Sequence, residues 1–432
     1  MRIIQITPGT GTFFCGNCVR DNSLVRALRS LGHDAVMLPL YLPIMAEGGN
    51  TADDQPLFFG GVNVYLQQIS SIFRFTPRWI DRWFDSRSLL MAASKKAGMT
   101  KAKDLGALTL STLRGEEGNQ KKEVLRLIEW LKEDPRPDVV CLSNGLLAGL
   151  ARLIKQEVGC AVFCTLQGED GFLDALPSPF DEQCWQTLRD CEPWIDGYVP
   201  VSRYYGDLMR GRLQLPDAKV FTILNGVSLD GYREPSLPVD PPVLGYLARQ
   251  CADKGLHTLV DAFIELKTHE TLSQLKLRIA GTMTPGDEEF VAEQKAKLDN
   301  AGVLGDAKFL PNISLEEKID FLHSITLFSV PAMYGEAFGL YVIEAMAAGV
   351  PVVQPNHAGF TEILDAAPGG RMYDPDVPGE LKETLQAILL DADQLTQLSR
   401  IARESAFALF SVERMAADVA EAYESARQSL SR

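Results

Sequence analysis

Short apolar runs alternate with amphipathic stretches along most of the chain. Residues 327–330 form one such run, a loop of small residues follows, and residues 340–348 carry apolar side chains at helical spacing before Gly349. A run of this length predicts a buried strand, and the spacing predicts a helix that ends at the glycine. With a second apolar run after the glycine, residues 329–353 are predicted to form strand, loop, helix and strand.

The same order opens the chain. Residues 2–7 predict a strand, residues 15–17 open a helix, and residues 35–40 predict a second strand. This is half of a doubly wound α/β unit. Further strands are predicted in the first half at residues 138–142, 161–165, 198–202 and 220–224. Residues 59–65 have the pattern of a hairpin or a strand.

Length and charge narrow the function classes. A chain of 432 residues exceeds one ordinary core, and four prolines within residues 235–242 indicate a linker between two domains. The formal net charge of −15 argues against nonspecific nucleic-acid binding, which depends on excess positive charge. No apolar run approaches membrane-spanning length and the N-terminus enters a strand directly, so a cytoplasmic location is expected.

The eight cysteines are spread through the chain, which favours reduced, buried thiols over a disulfide framework. Cys15 and Cys18 form a CxxC pair at the start of the first helix. No second pair stands at zinc-ligand spacing, so a structural zinc site is not expected. A redox role for the pair remains open, because a helix N-terminus favours thiolates.

Residues 72–103 differ from the rest of the chain in carrying eight basic residues against two acidic ones, with aromatic side chains between them. Such a face could bind an anionic membrane, which would place the protein peripherally at the inner membrane face, or grip an acidic acceptor. The alternative is a helical insertion whose aromatic side chains pack inward and whose arginines are solvated.

Two carboxylates flank the start of the helix predicted at residues 340–348. Glu336 lies in the loop before this helix, and Glu344 lies within its first turns. Between them, the free N–H groups of Phe338, Gly339 and Leu340 lie at the positive end of the helix dipole, which suits a phosphate. A carboxylate on each side of a phosphate can accept hydrogen bonds from sugar hydroxyls toward both ends of a nucleotide-sugar.

The sequence Glu336-Ala-Phe-Gly followed by Glu344-Ala-Met-Ala-Ala-Gly-Val-Pro-Val-Val resembles the E-x7-E signature of retaining GT-B glycosyltransferases of family 4. The resemblance implies an α/β fold of two doubly wound Rossmann-like domains facing each other across a cleft. The expected domain map is an N-terminal acceptor-side domain at 1–234 with a helical insertion at about 66–120, a linker at 235–242, a donor-binding domain at 243–408, and a C-terminal helix at 409–432 that packs back on the first domain.

The resemblance also implies roles for the motif residues. Glu336 would hold the sugar hydroxyls and Glu344 the ribose, with the backbone from Ala337 to Leu340 beside the phosphates. Arg249 and Lys254 match the arginine and lysine, five residues apart, that bind the donor diphosphate in this family. Two preplaced cations stabilise a departing diphosphate most when its charge is greatest, which is in the transition state.

Three further positions match the family pattern more loosely, and a fourth departs from it. Gly16 matches a glycine at the first helix that faces the donor diphosphate, and Asn312 and Ile313 match the loop that borders the nucleotide base. Gln167 stands where many relatives have a histidine that contacts the donor sugar, so the chain departs from the pattern there. The two acidic residues that follow Gln167 are expected to cap the next helix, with a contact to donor or acceptor as the alternative.

The implied activity is transfer of a hexose-type sugar, with retention, from a nucleotide-diphosphate donor to an unidentified hydroxyl acceptor. A UDP-sugar is favoured, with GDP- and ADP-sugars as alternatives, and no metal or other cofactor is expected because protein cations take the metal's place. Two other functions stay open: a nucleotide-sugar 2-epimerase on the same fold, and a non-catalytic nucleotide-sugar-binding protein. Cations aimed at transition-state charge favour a transferase over a binding protein.

Overall fold

The computed structural model describes residues 1–9, 16–42, 51, 56–77, 102–133, 135–235 and 239–430. Cys15 and residues 78–101 of the basic segment lie outside this set, so the expectations about them stay predictions. The chain divides into one compact unit of Met1–Leu224 with Val412–Arg432 and a second of Asn225–Ser411. In this division the predicted linker, residues 235–242, falls within the second unit.

The strands of the described residues are β1 (Arg2–Pro8), β2 (Asp34–Leu40), β3 (Val139–Leu142), β4 (Ala161–Leu166), β5 (Gly197–Pro200), β6 (Val243–Leu247), β7 (Lys276–Gly281), β8 (Ala307–Pro311), β9 (Leu327–Phe328), β10 (Val352–Pro355) and β11 (Gly370–Tyr373). The α-helices of the same residues are α1 (Gly16–Ser30), α2 (Gly61–Ile69), α3 (Ala102–Leu113), α4 (Lys121–Leu131), α5 (Ala151–Leu153), α6 (Asp170–Asp174), α7 (Phe180–Asp190), α8 (Arg203–Leu213), α9 (Leu256–Leu266), α10 (Glu288–Asn300), α11 (Leu315–Leu322), α12 (Leu340–Ala347), α13 (Gly359–Ala366), α14 (Glu380–Leu389), α15 (Ala392–Leu409) and α16 (Val412–Leu430).

The first unit contains a five-stranded parallel sheet in the order β2-β1-β3-β4-β5. Its central strands are buried along their length, as expected for parallel strands that are covered on both faces. Leu28 of α1 and Met415 of α16 lie in the same hydrophobic core, so the C-terminal helix belongs to this unit. The strand predicted at residues 220–224 is reduced to an isolated bridge between Val220 and Tyr198.

The hairpin or strand predicted for residues 59–65 is wrong, because these residues enter helix α2. Helical spacing brings Asn63 and Gln67 to one face, where both side-chain amides donate to Oε1 of the buried Glu123, at 3.1 and 3.3 Å. Glu123 lies in α4, far along the chain. The contact that favours the helix is therefore tertiary, and local alternation of apolar residues cannot reveal it.

The second unit contains a six-stranded parallel sheet in the order β11-β10-β9-β6-β7-β8. From β6 the chain adds β7 and β8 on one side, then returns to add β9, β10 and β11 on the other. The winding direction reverses between β6 and β9, where Gly245 pairs with Phe328. Ligands of open parallel sheets bind beyond the carboxyl ends of the strands at such a reversal. A ligand site is therefore expected at the loops after β6 and β9.

Candidate active site

The two predicted cations follow β6 in one loop. The buried Tyr246 of β6 directs its hydroxyl to the carbonyl oxygens of Arg249 and Lys254, at 2.8 and 3.4 Å. Ala252–Lys254 forms a 3-10 turn, and Gly255 then stands as the N-cap of α9. The loop that carries both cations is thus fixed to the strand from which it emerges.

Gly255 allows this loop to touch the segment that follows β9. Its φ is +69°, and a Cβ atom here would lie 1.8 Å from the carbonyl oxygen of Pro331. Close by, the backbone N–H of Met333 donates to the carbonyl of Asp253 at 2.9 Å. Glycine meets both the left-handed backbone and the close approach. The two loops at the winding reversal are therefore held against each other by backbone contacts.

Lys254 and Glu336 meet where these loops touch. Lys254 Nζ is ion-paired with Glu336 Oε2, and the two side chains are 17% and 15% exposed. The rings of Tyr334 and Tyr341 lie 4.8 and 5.5 Å from Nζ, and the Tyr341 hydroxyl donates to Glu336 Oε2 at 2.8 Å. Burial disfavours the ammonium, but Glu336 outweighs it and the pKa of Lys254 is raised. Lys254 is therefore a fixed positive charge at neutral pH.

Arg249 is oriented by a different carboxylate. Its Nη2 lies 2.8 Å from Asp287 Oδ1, and its Nε lies 3.1 Å from both oxygens of that group. Burial opposes the ionisation of Asp287, but the hydrogen bonds from Arg249 and Thr284 hold its pKa below the usual range. The Arg249 side chain is still 53% exposed, so half of its surface faces solvent beside the Lys254 loop.

Residues 337–340 lead into α12, with Gly339 as the N-cap. The loop before them is fixed from the far side by α13, because the N–H of Gly359 donates to the carbonyl of Glu336 at 3.0 Å. A Cβ on Gly359 would lie 2.8 Å from the carbonyl oxygen of Ala337, so the two backbones are in close contact. The first N–H groups of a helix have no intrahelical partner, and here they follow directly after the paired Glu336.

Glu344 pairs with a lysine that the sequence reading did not single out. Lys318 Nζ, on α11, lies 2.5 Å from Glu344 Oε1, and the side chains are 6% and 14% exposed. One signal could have found it: Leu315, Lys318 and Leu322 recur at the spacing of the buried face of a helix. A lysine at such a position requires a partner for its charge.

The side chain of Asn312 is already engaged in its own loop. Its Nδ2 donates to the carbonyl of Met283, and its Oδ1 accepts from the N–H of the same residue, both at 3.1 Å. Asn312 thus ties the loop after β8 to the loop after β7. Ile313 beside it is half-buried. The predicted contacts of both residues with a nucleotide base stay predictions.

Gly16 and Gln167 lie in the first unit, each beyond the carboxyl end of a strand. Gly16 is the first residue of α1, the helix that follows β1, and Gln167 directly follows β4. The side-chain amide of Gln167 donates to the carbonyl of Ser143, at the end of β3. Both positions are at the strand ends where α/β ligands bind, and their contacts with a donor stay predictions.

The capping role predicted after Gln167 is wrong for Glu169. Its side chain makes no capping hydrogen bond to α6. It accepts instead from the N–H groups of Gly145 and Gln167, both at 2.7 Å, and from the Tyr205 hydroxyl at 3.1 Å. Burial raises the pKa of Glu169. The carboxyl joins the loops after β3 and β4 to α8, a long-range role that local sequence does not signal.

The described residues offer little metal-ligand or thiol chemistry. Among these there is no group of three or more His, Cys, Asp or Glu side chains that could hold a metal ion. Burial raises the pKa of the Cys160 and Cys191 thiols to about 12, and Cys18 Sγ donates to the carbonyl of Pro8 at 3.2 Å. No helix in the described part of the chain is long and apolar enough to cross a membrane.

Of the predicted site residues in the second unit, the structure brings Lys254 and Glu336 into contact and places Arg249 in the same loop as Lys254. Glu344 lies on the helix that the Glu336 loop enters. Their roles toward a ligand stay predictions. Tyr246, Tyr341 and Asp287, which orient the charged groups, were missed. Asp287 is 38 positions from Arg249, and the two tyrosines contact nearby residues through hydroxyl groups that apolar spacing does not distinguish from core packing.

Comparison with known families identifies the second unit. Residues 232–405, which lie within Asn225–Ser411, match the sequence model of the family glycosyl transferases group 1. These residues form a group 1 glycosyltransferase domain. The group 1 domain contains the whole set of Arg249, Lys254, Asn312, Ile313, the Glu336 loop and Glu344.

Curated relatives align mostly over part of their length. The chain is 30% identical over 215 residues to the lipopolysaccharide 1,2-N-acetylglucosaminetransferase of Salmonella typhimurium, covering 47% of this chain and 56% of that one. It is 29% identical over 308 residues to the glycogen synthase of Mycobacterium tuberculosis, covering 68% and 70%. The D-inositol 3-phosphate glycosyltransferase of Corynebacterium jeikeium matches at 27% identity over 37% of this chain and 38% of its own. The chain spans about half the length of most of these relatives.

Solved structures match along nearly the whole chain. Sucrose-phosphate synthase from Thermosynechococcus elongatus gives a TM-score of 0.70 at 17% identity, covering 98% of this chain and 99% of that one. Anabaena HepE in complex with UDP gives a TM-score of 0.69 at 15% identity, covering 98% and 100%. At these identities the likeness shows the fold alone. The fold class predicted from the sequence, α/β with two Rossmann-like domains of the GT-B type, is confirmed.

Proposed function

We propose that the chain is a retaining glycosyltransferase of family 4 that moves a hexose-type sugar from a nucleoside-diphosphate donor to a hydroxyl acceptor. The observation that carries this proposal is the Lys254–Glu336 pair at the winding reversal of the second sheet. It puts one cation and one carboxylate beside the start of α12, where an anionic phosphate and a sugar hydroxyl can be bound together.

In the proposed reaction, Lys254, Arg249 and the first N–H groups of α12 bind the diphosphate, while Glu336 accepts hydrogen bonds from the sugar. The bond between the anomeric carbon and the phosphate oxygen breaks as the acceptor oxygen bonds to the same face of that carbon. The proton of the acceptor hydroxyl passes to the departing phosphate. The negative charge on the leaving group grows as the bond breaks, so fixed cations lower the barrier without a metal ion.

A UDP-sugar is the favoured donor. The HepE structures that resemble this chain in fold were solved with UDP, with UDP and glucose, and with UDP-glucose. Starch synthase IV from Arabidopsis thaliana, which resembles it at a TM-score of 0.67 and 12% identity, was solved with ADP and acarbose. The donor is therefore proposed as a nucleotide-sugar, with uridine ahead of adenosine and guanosine.

A thermal-shift screen with UDP-, ADP- and GDP-sugars tests the donor. We expect the nucleotide-sugars of one base to raise the melting temperature of the protein progressively as their concentration increases, since a ligand that binds the native state alone stabilises it. The donor found in this way is then incubated with and without candidate acceptors, in the presence and absence of EDTA. We expect acceptor-dependent transfer that EDTA leaves unchanged and a product with the donor's anomeric configuration by NMR. Epimer formation without acceptor would replace the transferase by the 2-epimerase.

We also propose peripheral contact with an anionic membrane through residues 72–103. Ile72 and Phe75, at the start of this segment, are 73% and 85% exposed, and Ile69 just before it is 58% exposed. The segment has eight basic residues against two acidic ones. Exposed apolar side chains beside basic ones suit an interface with anionic lipid.

Vesicle sedimentation tests this contact. We expect binding to phosphatidylglycerol vesicles that weakens with salt, little binding to phosphatidylcholine vesicles, and at least about a fivefold loss for Ile72→Ser with Phe75→Ser, because each removes buried apolar area at the interface. Val377→Ser is the matched control, since Val377 is an exposed apolar residue of the other unit at 49%. Equal binding by the variants would rule out this surface.

A further inference from the structure

Each carboxylate of the Glu336 and Glu344 pair has its own lysine, partly buried in the case of Lys254 and buried in the case of Lys318. Lys254 neutralises Glu336, with side-chain exposures of 17% and 15%, and Lys318 neutralises Glu344, with exposures of 6% and 14%. Two uncompensated carboxylates beside the start of α12 would repel a diphosphate placed there. The two lysines remove that repulsion and leave the carboxylate oxygens as hydrogen-bond acceptors.

The stability of the fold does not account for Lys318. Its position on α11 has the spacing of the buried face, and an apolar side chain would serve packing there without desolvating a charge. Buried ion pairs are weak contributors to stability compared with well-packed apolar residues of similar volume. What the lysine adds is a defined orientation for the carboxylate of Glu344.

The geometry of the pair leaves one oxygen of Glu344 for a ligand. Within the described part of the chain, Lys318 is the hydrogen-bond donor to Glu344, and it binds Oε1 at 2.5 Å. Glu344 is the more exposed partner of the two. The hydrogen bond from Lys318 to Oε1 thus also fixes the position of Oε2. A fixed acceptor is what binding to the two neighbouring hydroxyls of a ribose requires.

Lys318 also connects two segments that are both predicted to contact the nucleotide of the donor. It lies one turn into α11, whose N-terminus is fixed by a capping box between Ser314 and Glu317, directly after Asn312 and Ile313. The Lys318–Glu344 bond therefore joins the loop predicted to border the base to the helix that carries the predicted ribose ligand. A displacement of either segment would be transmitted to the other.

We propose that Lys318 is a positioning residue for the ribose of the donor: it orients Glu344 so that its second oxygen accepts hydrogen bonds from the ribose hydroxyls. This inference rests on the proposed function, because it takes the ligand to be a nucleoside diphosphate. It adds Lys318, which lies outside the E-x7-E pattern, to the proposed donor site. It also predicts that the Lys318–Glu344 pair is the origin of the preference for a nucleotide with both ribose hydroxyls.

The test compares affinities for UDP and 2′,3′-dideoxy-UDP by isothermal titration calorimetry, on the wild-type chain, Lys318→Met, Lys318→Arg and Glu344→Gln. The wild type is expected to prefer UDP by roughly 10- to 100-fold, the range for hydrogen bonds to a charged group. In Lys318→Met we expect this preference to fall to about threefold or less, while affinity for the dideoxy analogue changes less than about twofold. Lys318→Arg should restore most of the preference, because it keeps a charged donor.

Lys267→Met is the matched control, since Lys267 is also buried, at 8% exposed, and pairs with Asp306 in the same unit. It should keep the wild-type preference. If Lys318→Met unfolds the unit, Lys318→Gln, which is shorter and carries no charge but leaves Glu344 in place, is measured instead and should also lose most of the preference. Unchanged preference in the methionine variant, or an equal loss for both ligands, would refute the positioning role alone. Failure of the wild type to bind any nucleoside diphosphate would refute it together with the proposed function.

Discussion

Lys254→Ala is expected to lower turnover by about 100- to 1000-fold while the chain stays folded, which is the range for removing a group aimed at transition-state charge. Lys254 is held by Glu336 and two tyrosine rings, and its raised pKa keeps it charged at neutral pH. Glu336 retains the hydrogen bond from Tyr341 in the variant, so it is not left without a partner. Steady-state transfer rates with the donor found by the thermal-shift screen measure the effect.

Arg249→Ala should also lower turnover, but by a smaller factor than Lys254→Ala, because Arg249 is half exposed and its guanidinium is also paired with Asp287. Lys297→Ala is the control, since Lys297 forms an exposed pair with Asp261 on the same unit, at 40% and 51% exposed. It should transfer at the wild-type rate. Wild-type rates in both Lys254→Ala and Arg249→Ala would remove the proposed mechanism.

Gly255→Ala is expected to have the largest effect on stability, a loss of about 2–4 kcal/mol in the free energy of unfolding. The new Cβ would lie 1.8 Å from the carbonyl oxygen of Pro331 and 2.6 Å from its carbonyl carbon. Both of these atoms are backbone, so the two loops must separate. Separation also moves Lys254 away from Glu336. Activity should therefore fall together with stability, as measured by urea unfolding and transfer rate.

Gly302→Ala measures the cost of a left-handed backbone alone, without the close contact that Gly255 makes with Pro331. Gly302 has a φ of +72°, close to the +69° of Gly255, and a Cβ there meets nothing within 4 Å. It should lose only about 1 kcal/mol, the cost of a left-handed backbone without glycine. If the two alanine variants lost equal stability, the close approach of the two loops would carry no weight in the fold.

Much of the second unit could be read from local pattern. The strand before Ser329, the loop with Gly339 and the helix to Ala347 follow from apolar spacing and helix-ending residues, because a buried parallel strand and an amphipathic helix each leave a regular signature. The same reasoning failed at residues 59–65. There Asn63 and Gln67 form a helix to reach Glu123, a residue more than fifty positions away.

The sequence by itself determined the α/β class, the order of strands and helices in the second unit, and the identity of its charged residues, since these depend on neighbours along the chain. The tertiary structure decided which charges meet. Lys254 and Glu336 are 82 positions apart and touch because the sheet places β6 beside β9. Lys318 and Glu344 are 26 positions apart and meet because the fold brings α11 and α12 within ion-pair distance of each other. Strand order and helix packing are settled by burial of the whole domain, and no local pattern encodes them.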